Sequence, residues 1–184
     1  RSVSTMGSGS NEVYGLDAAF SFFDNVNFNG YYAQSRTSGL SDDHTSYQAA
    51  FNYTGDLYSF QLDHLLVGPD FNPEVGFVPR TGIRTSNLHL EWDPRPGKWN
   101  IRRLDPMFNI RYITDQHNRL VTRWIHNMVG TYFENDASVT VWYNDHFEQL
   151  DFSFPIRSDV TIPAGTYRFG EWNFQYRSDP SQRF

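Results

Sequence analysis

Apolar and polar residues alternate with period two along most of this chain, the pattern of an extended strand whose two faces meet different surroundings. In Leu57–Val67 the even positions are Tyr58, Phe60, Leu62, His64 and Leu66, set against Ser59, Gln61 and Asp63. Leu88, Leu90 and Trp92 alternate with Asn87, His89 and Glu91, and Trp172, Phe174 and Tyr176 with Glu171, Asn173, Gln175 and Arg177. The same period marks Tyr14–Phe22, Tyr47–Tyr53, Phe108–Tyr112 and Val139–Tyr143. Nine strands are predicted, over 12–23, 26–36, 46–54, 57–67, 84–92, 107–114, 120–133, 138–149 and 167–177. The segment 120–133 is mixed: Trp124, Met128 and Tyr132 share one parity, and Val121, Ile125 and Val129 the other. No segment carries a helical stripe. The fold class expected is all-β, an antiparallel up-and-down meander of sequential hairpins.

The connections sharpen this. Asp24-Asn25, Gly55-Asp56 and Glu134–Ala137 are short, and Asp93–Lys98 (Asp-Pro-Arg-Pro-Gly-Lys) is rich in turn formers. Thr37–Thr45, Gly68–Ile83 and Leu150–Thr166 are long, and Thr114–Arg119 is intermediate. Short and long connections roughly alternate, as in outer-membrane barrels with short periplasmic turns and longer external loops. Most predicted strands reach the ~9–11 residues that a tilted strand needs to cross a bilayer, against ~5–6 for a typical soluble strand. The expectation is an outer-membrane-type β-barrel, residues 1–184 forming one domain. Nine strands is odd and does not close a usual bacterial barrel. Either Arg1–Thr5 ends a preceding strand or the chain is a segment of a larger barrel.

Composition narrows the classes. The 184 residues include 17% aromatics, too many for a disordered chain. Mean hydropathy is −0.60, and no stretch approaches the ~18 apolar residues of a membrane-spanning helix. A net charge of −6 argues against nucleic acid as partner. The absence of cysteine excludes disulfides and thiolate metal sites.

One run is distinctive. Val67–Gly82, Val-Gly-Pro-Asp-Phe-Asn-Pro-Glu-Val-Gly-Phe-Val-Pro-Arg-Thr-Gly, resembles a signature of a bacterial family of unknown function. In that family an outer-membrane-type C-terminal β-barrel follows a family 9-like carbohydrate-binding module. Asn11–Asp17, Asp93–Pro96 with Ile101–Leu104, and Thr161–Arg168 leading to Glu171-Trp172 are similar to it as well. The resemblance implies a bacterial outer-membrane location, lipid as partner, and carbohydrate or another small solute as a further partner. It also implies more strands beyond the Ser178–Ser181 turn, and carries no activity that can be transferred.

Candidate chemistry follows from placement. Asp70, Asn72, Glu74 and Arg80 lie in the long Gly68–Ile83 connection, either as a ligand or selectivity group or as charges that tie down a loop shaped by Pro69, Pro73, Gly76 and Pro79. Phe71, Val75, Phe77 and Val78 make this loop too apolar to stand free in water, so it is expected to be ordered against the barrel mouth. Asp63, His89, Glu91, Arg111, Gln175 and Arg177 occupy polar-parity positions and are candidates to line a wet lumen, selecting solutes or bracing the wall across strands. Arg123 falls on the ambiguous parity. His64, His89, His126 and His146 show no metal-ligand spacing. No nucleophile elbow, phosphate loop or dinucleotide motif is present, and no cofactor is implied. Two soluble alternatives stay open: a β-sandwich or jelly-roll binding glycans through Trp and Tyr, or a glycoside hydrolase using two of Asp70, Glu74, Asp105 and Glu148.

Overall fold

The computed structural model describes residues 2–6, 9–37, 44–74 and 76–179, with backbone alone for 2–6 and 9. Leu40, Val75 and the Pro180-Ser181 half of the last predicted turn lie outside the described residues. No helix is present among them. Ten strands form one antiparallel sheet: β1 (Ser2–Met6), β2 (Gly9–Phe22), β3 (Val26–Thr37), β4 (Thr45–Thr54), β5 (Tyr58–Val67), β6 (Ile83–Trp92), β7 (Ile101–Asp115), β8 (Leu120–Phe133), β9 (Ser138–Leu150) and, past a hairpin of β10 (Phe154–Arg157) and β11 (Val160–Ile162), β12 (Gly165–Arg177). Each strand pairs with its predecessor in the sheet, so the all-β meander expected from the alternation is what the chain forms. From β2 onward its strands run 10 to 15 residues.

The sheet does not close. β1 and β12 are its two edges and make no contact with each other. The described strands form an open wall rather than a barrel closed by residues 1–184 alone. Ser2–Met6 is a strand paired with β2, in line with the alternative that Arg1–Thr5 ends a preceding strand. Other details of the sequence reading change. The seventh strand begins at Ile101 rather than 107, past a bulge between Ile101 and Arg103. Pro106 is tolerated inside it because pairing with β6 ends at Met107, leaving that stretch an edge on one side. The connection Leu150–Thr166 contains the β10–β11 hairpin.

The ladders carry parity across the whole sheet. Leu90 pairs with Phe108, Phe108 with Asn127, Asn127 with Tyr143 and Tyr143 with Trp172. Because directly opposed residues share a face, Leu88, Leu90, Trp92, Trp172, Phe174 and Tyr176 all point to one side, and Asn87, His89, Glu91, Asn173 and Gln175 to the other. The mixed strand β8 obeys the same rule, with Ile125 and Val129 on the apolar side and Trp124, His126 and Met128 on the polar side. The apolar side is open: Leu16, Phe20, Phe28, Leu62, Trp172 and Phe174 are all exposed, Trp172 to 73%. Among the described residues, nothing packs over this face as the second sheet of a sandwich would.

Connections sort by end. The turns between β2 and β3, β4 and β5, β6 and β7, and β8 and β9 lie at one end, and the two longest connections, 68–82 and 151–164, at the other. The correspondence is imperfect, since 93–100 is longer than 116–119.

The closest approach of a glycine to a neighbouring strand's backbone is at Gly30, where an added Cβ would stand 2.6 Å from the carbonyl oxygen of Gln48 on β4. Gly30→Ala is expected to push β3 from β4 and cost roughly 1–3 kcal/mol. A lower denaturant midpoint is the readout, and an unchanged midpoint would contradict the register.

Candidate functional site: the polar face and its cover

Alternation places a row of amides, imidazoles and charges on the polar face. Asp63 on β5 opposes Asn87 on β6, which opposes Arg111 on β7. Asn87 Nδ2 donates to Asp63 Oδ1 at 3.1 Å, and Arg111 Nε donates to Asn87 Oδ1 at 3.2 Å. Gln48 on β4 also donates to Asp63. One rung along, His89 Nδ1 bonds Asn109 at 2.6 Å, and further across the sheet His126 Nδ1 bonds Asn144 at 2.6 Å, with Asn144 Nδ2 donating to Glu171 at 2.8 Å. Asp63, His89 and Arg111 therefore converge around a hollow of about 270 Å³ that Trp124 helps to wall. Gln175 and Arg177 share the polar face but sit on the edge strand β12, apart from that group.

Glu91 belongs to a different cluster nearer the short turns. Its carboxylate, with those of Asp93 and Asp105, offers oxygens all within 4.8 Å of one another. Arg103 lies among them, 3.1 Å from Asp93 Oδ1 and 3.8 Å from Asp105 Oδ2, with its guanidinium 4.5 Å from the Tyr132 ring centroid. His89 Nε2 lies 3.4 Å from Glu91. Asp105 is 6% exposed and faces buried Gly130 across the ladder; a Cβ there would lie 3.3 Å from that of Asp105. A search for histidine and cysteine spacing does not find this group. Its signal is two carboxylates at i, i+2 across the end of β6, completed by Asp105 and Arg103 on the next strand.

The soluble-hydrolase alternative needs two carboxylates ~5–9.5 Å apart. Asp105 reaches Thr140 on β9 through Gly130, and Glu148 stands eight residues further along β9. At ~3.4 Å per residue that is roughly 27 Å, so Asp105 and Glu148 are no pair. Glu148 instead accepts from Thr122 Oγ1 at 2.9 Å.

The long 68–82 connection folds over the polar face. Phe71, 7% exposed, packs on Val67 and Ile83, with Ala33, Leu65, Val78 and Ile113 around them. The chain then crosses to β2 and β3. Asn72 N–H donates to Ser35 Oγ at 3.0 Å, Asn11 Nδ2 donates to the Asn72 carbonyl at 2.6 Å, and Glu74 N–H reaches Asn11 Oδ1 at 3.4 Å. This half of the loop is docked as expected. Phe77 is 88% exposed, so the loop turns outward there before Val78 returns to the Phe71 cluster. Part of the attachment is uncharged. Neutral Asn11 and Ser35, buried on the strands, hold the loop through its backbone. Asn72, Glu74 and Arg80 are exposed and Asp70 is half-buried. A polar residue on a strand whose parity faces inward is the only sequence sign of the Asn11 anchor.

Arg123 resolves to the apolar face. Its Nη2 bonds Asp145 Oδ1 at 3.1 Å, while Arg168 Nη2 bonds Asp145 Oδ2 at 2.8 Å. At the short-turn end, Arg95 grips Asp56 with two bonds of 2.7 and 2.8 Å, linking the β4–β5 turn to the β6–β7 connection.

With this geometry in hand, comparison with protein-family models, with curated proteins and with solved structures gives no match.

Two outcomes are expected. Asn11 is 1% exposed and satisfies Thr37, Asn72 and Glu74 together. Asn11→Ala leaves buried partners unpaired, at about 1–3 kcal/mol, and should speed amide exchange at Asn72 and Glu74 before the β5–β6 ladder; unchanged exchange at both contradicts the anchor. The Arg95 hydrogen bonds, then its charge, hold the Asp56 carboxyl below the usual carboxylate range. A depressed carboxylate stabilises above its unfolded pKa and loses that contribution as pH falls through the folded value. Arg95→Gln should therefore move the Asp56 NMR titration up to the ordinary range. A titration that does not move means the pair is not formed.

Proposed function

We propose that this chain is wall of an outer-membrane-type β-barrel, lipid-covered on its apolar face and water-lining on the other, serving passage, docking or anchoring without catalysis of its own. The observation that carries this reading is the exposed apolar face that runs from β2 to β12, backed by a largely polar face, on strands of 10 to 15 residues. In water such a face far exceeds the few hundred Å² that soluble monomers leave uncovered. At ~3.4 Å per residue and ~45° tilt, ten residues rise roughly 24 Å, matching the ~25 Å apolar band of such barrels. Strands in hydrocarbon cannot keep free edges, so the open edges of β1 and β12 call for further strands, from this protein or another copy, to complete a ring.

Two features of the short-turn end fit the same reading. Phe23 and Trp99 are exposed at turn tips with φ of 52° and 55°, a left-handed conformation that costs such residues ~1–2 kcal/mol. Aromatic rings at that depth are the usual interfacial anchors. On the other face, the amide and imidazole side chains around Asp63, His89 and Arg111 suit a polar solute, with docked Phe71–Glu74 narrowing the path at the long-loop end. The solute class favoured is small and hydroxylated, such as a sugar, because the row offers both donors and acceptors with few uncompensated charges.

The reading is tested by depth and side. Phe174→Arg should cost roughly 2–4 kcal/mol in liposome unfolding, while the neighbouring Asn173→Leu, on the wet side, should be mild. Equal, negligible effects would refute the membrane assignment. Brominated lipid should likewise quench Trp172 strongly and Trp124, on the polar face, weakly.

A further inference from the structure

The apolar face is not uniform along its length. Its long-loop end carries Arg36, Arg84, Arg123 and Arg168, against Glu12 and Asp145, for a net of two positive charges. At the short-turn end, Arg95 and Arg102 are each matched by a turn aspartate, Asp56 and Asp136. The centre of the basic end is the triad Arg123–Asp145–Arg168, one carboxylate between two guanidiniums, which leaves one positive charge over. Arg168 keeps 67% of its side chain exposed, and Arg123 Nε is buried with no hydrogen-bond partner.

A greasy trough lies further along the same face. Trp172 is four residues from Arg168 on β12, roughly 14 Å at strand rise. It joins Tyr58, Trp92, Phe108, Val129 and Val141 in lining an apolar hollow of about 720 Å³. Gly170, between Arg168 and Trp172, adds no side chain of its own to the intervening surface.

We infer that this face holds a phosphate-bearing lipid, its headgroup phosphate on Arg123 and Arg168 and an acyl chain along the Trp172–Phe108 hollow. The inference rests on the membrane-wall reading and adds to it a lipid class and an orientation. Guanidinium forks match phosphate oxygens in bidentate geometry. A partly compensated pair at the edge of hydrocarbon, with a donor still unsatisfied, favours an anionic headgroup over a zwitterionic one. A chain reaching roughly 14 Å from the headgroup passes the Tyr143 ring, which lies over Gly170, and enters a hollow whose lining is mainly apolar, with Asn127 the polar side chain between Phe108 and Tyr143. The long-loop end is thereby assigned to the leaflet richer in lipid phosphate.

The test is lipid retention. The chain is reconstituted in phosphatidylcholine nanodiscs doped with dimyristoyl phosphatidate, and lipids that survive release from the disc are counted by native mass spectrometry. One phosphatidate should be retained about tenfold over phosphatidylcholine, and Arg123→Gln with Arg168→Gln should abolish that preference. Because this pair of changes strands Asp145, the charge-balanced set R123Q, D145N and R168Q is measured beside it and should behave alike. Arg111→Gln, on the polar face, should leave the preference intact. Trp172→Ala should lower retention of dimyristoyl but not of dihexanoyl phosphatidate. Equal retention of the two headgroups, or a preference surviving the charge-balanced set, overturns the lipid site while leaving the wall assignment standing. Failure to enter nanodiscs of any composition overturns both.

Discussion

Parity is the constraint on which everything else here depends. The side-chain period of a strand is two, so a shift of one residue at any ladder would move an entire set of phenylalanines and leucines to the opposite face. Nine successive pairings in this sheet avoid that outcome. The two irregularities in β7–β8, at Ile101/Arg103 and Ile113/Thr114, lie at the strand ends, beyond the central rungs. The polar row from Asp63 to Glu171 exists only because five intervening ladders agree. Its hydrogen bonds in turn penalise any slip, since Asn87 and Asn144 each bridge neighbours on two strands.

How much of this was legible in the sequence depends on which physical signal was strong. Alternation alone placed Leu88–Trp92 and Trp172–Tyr176 on a common face, because apolar spacing maps directly onto a pleated strand. It also placed Asp63, His89, Glu91, Arg111, Gln175 and Arg177 on the polar side. It failed at Ile101–Pro106, where two arginines, an aspartate and a proline look like a turn but continue the strand beside β8 alone. It failed again at Phe154–Ile162, whose strands of four and three residues are too short to show a period. Closure was beyond reach, since whether first and last strands meet is a long-range fact with no local pattern. At the site, Phe71 was readable from its hydrophobicity within a polar loop. Asn11 was not, because a single buried amide has no periodic signature, and Arg123 was ambiguous until its neighbours Tyr112 and Phe147 fixed its side.

The two faces have different energetics. On the polar face, stability comes from hydrogen bonds that replace water, each contributing modestly but costing more when one partner is lost. On the apolar face, little is buried within the chain, and large side chains remain open to whatever surrounds them. The buried hydrophobic cluster is small and lies where Phe71 meets Val67 and Ile83. The docked loop thus supplies at one end of the sheet the packed core that the sheet lacks elsewhere.

The strictly sequential strand order has a consequence for how such a wall can change size. Since sheet neighbours follow one another along the chain, with only the β10–β11 hairpin set between β9 and β12, the hairpin is a self-contained unit of growth. Removing or duplicating one whole hairpin would join two strands of the same direction and facing as those it separated. The width of the wall could therefore drift in steps of two strands without redesign of any surviving contact. The contacts formed are also local in sequence, which shortens the loops that must close before each pairing is rewarded. The two edges, β1 and β12, stand outside this economy, since each has a paired neighbour on one side alone among the described residues.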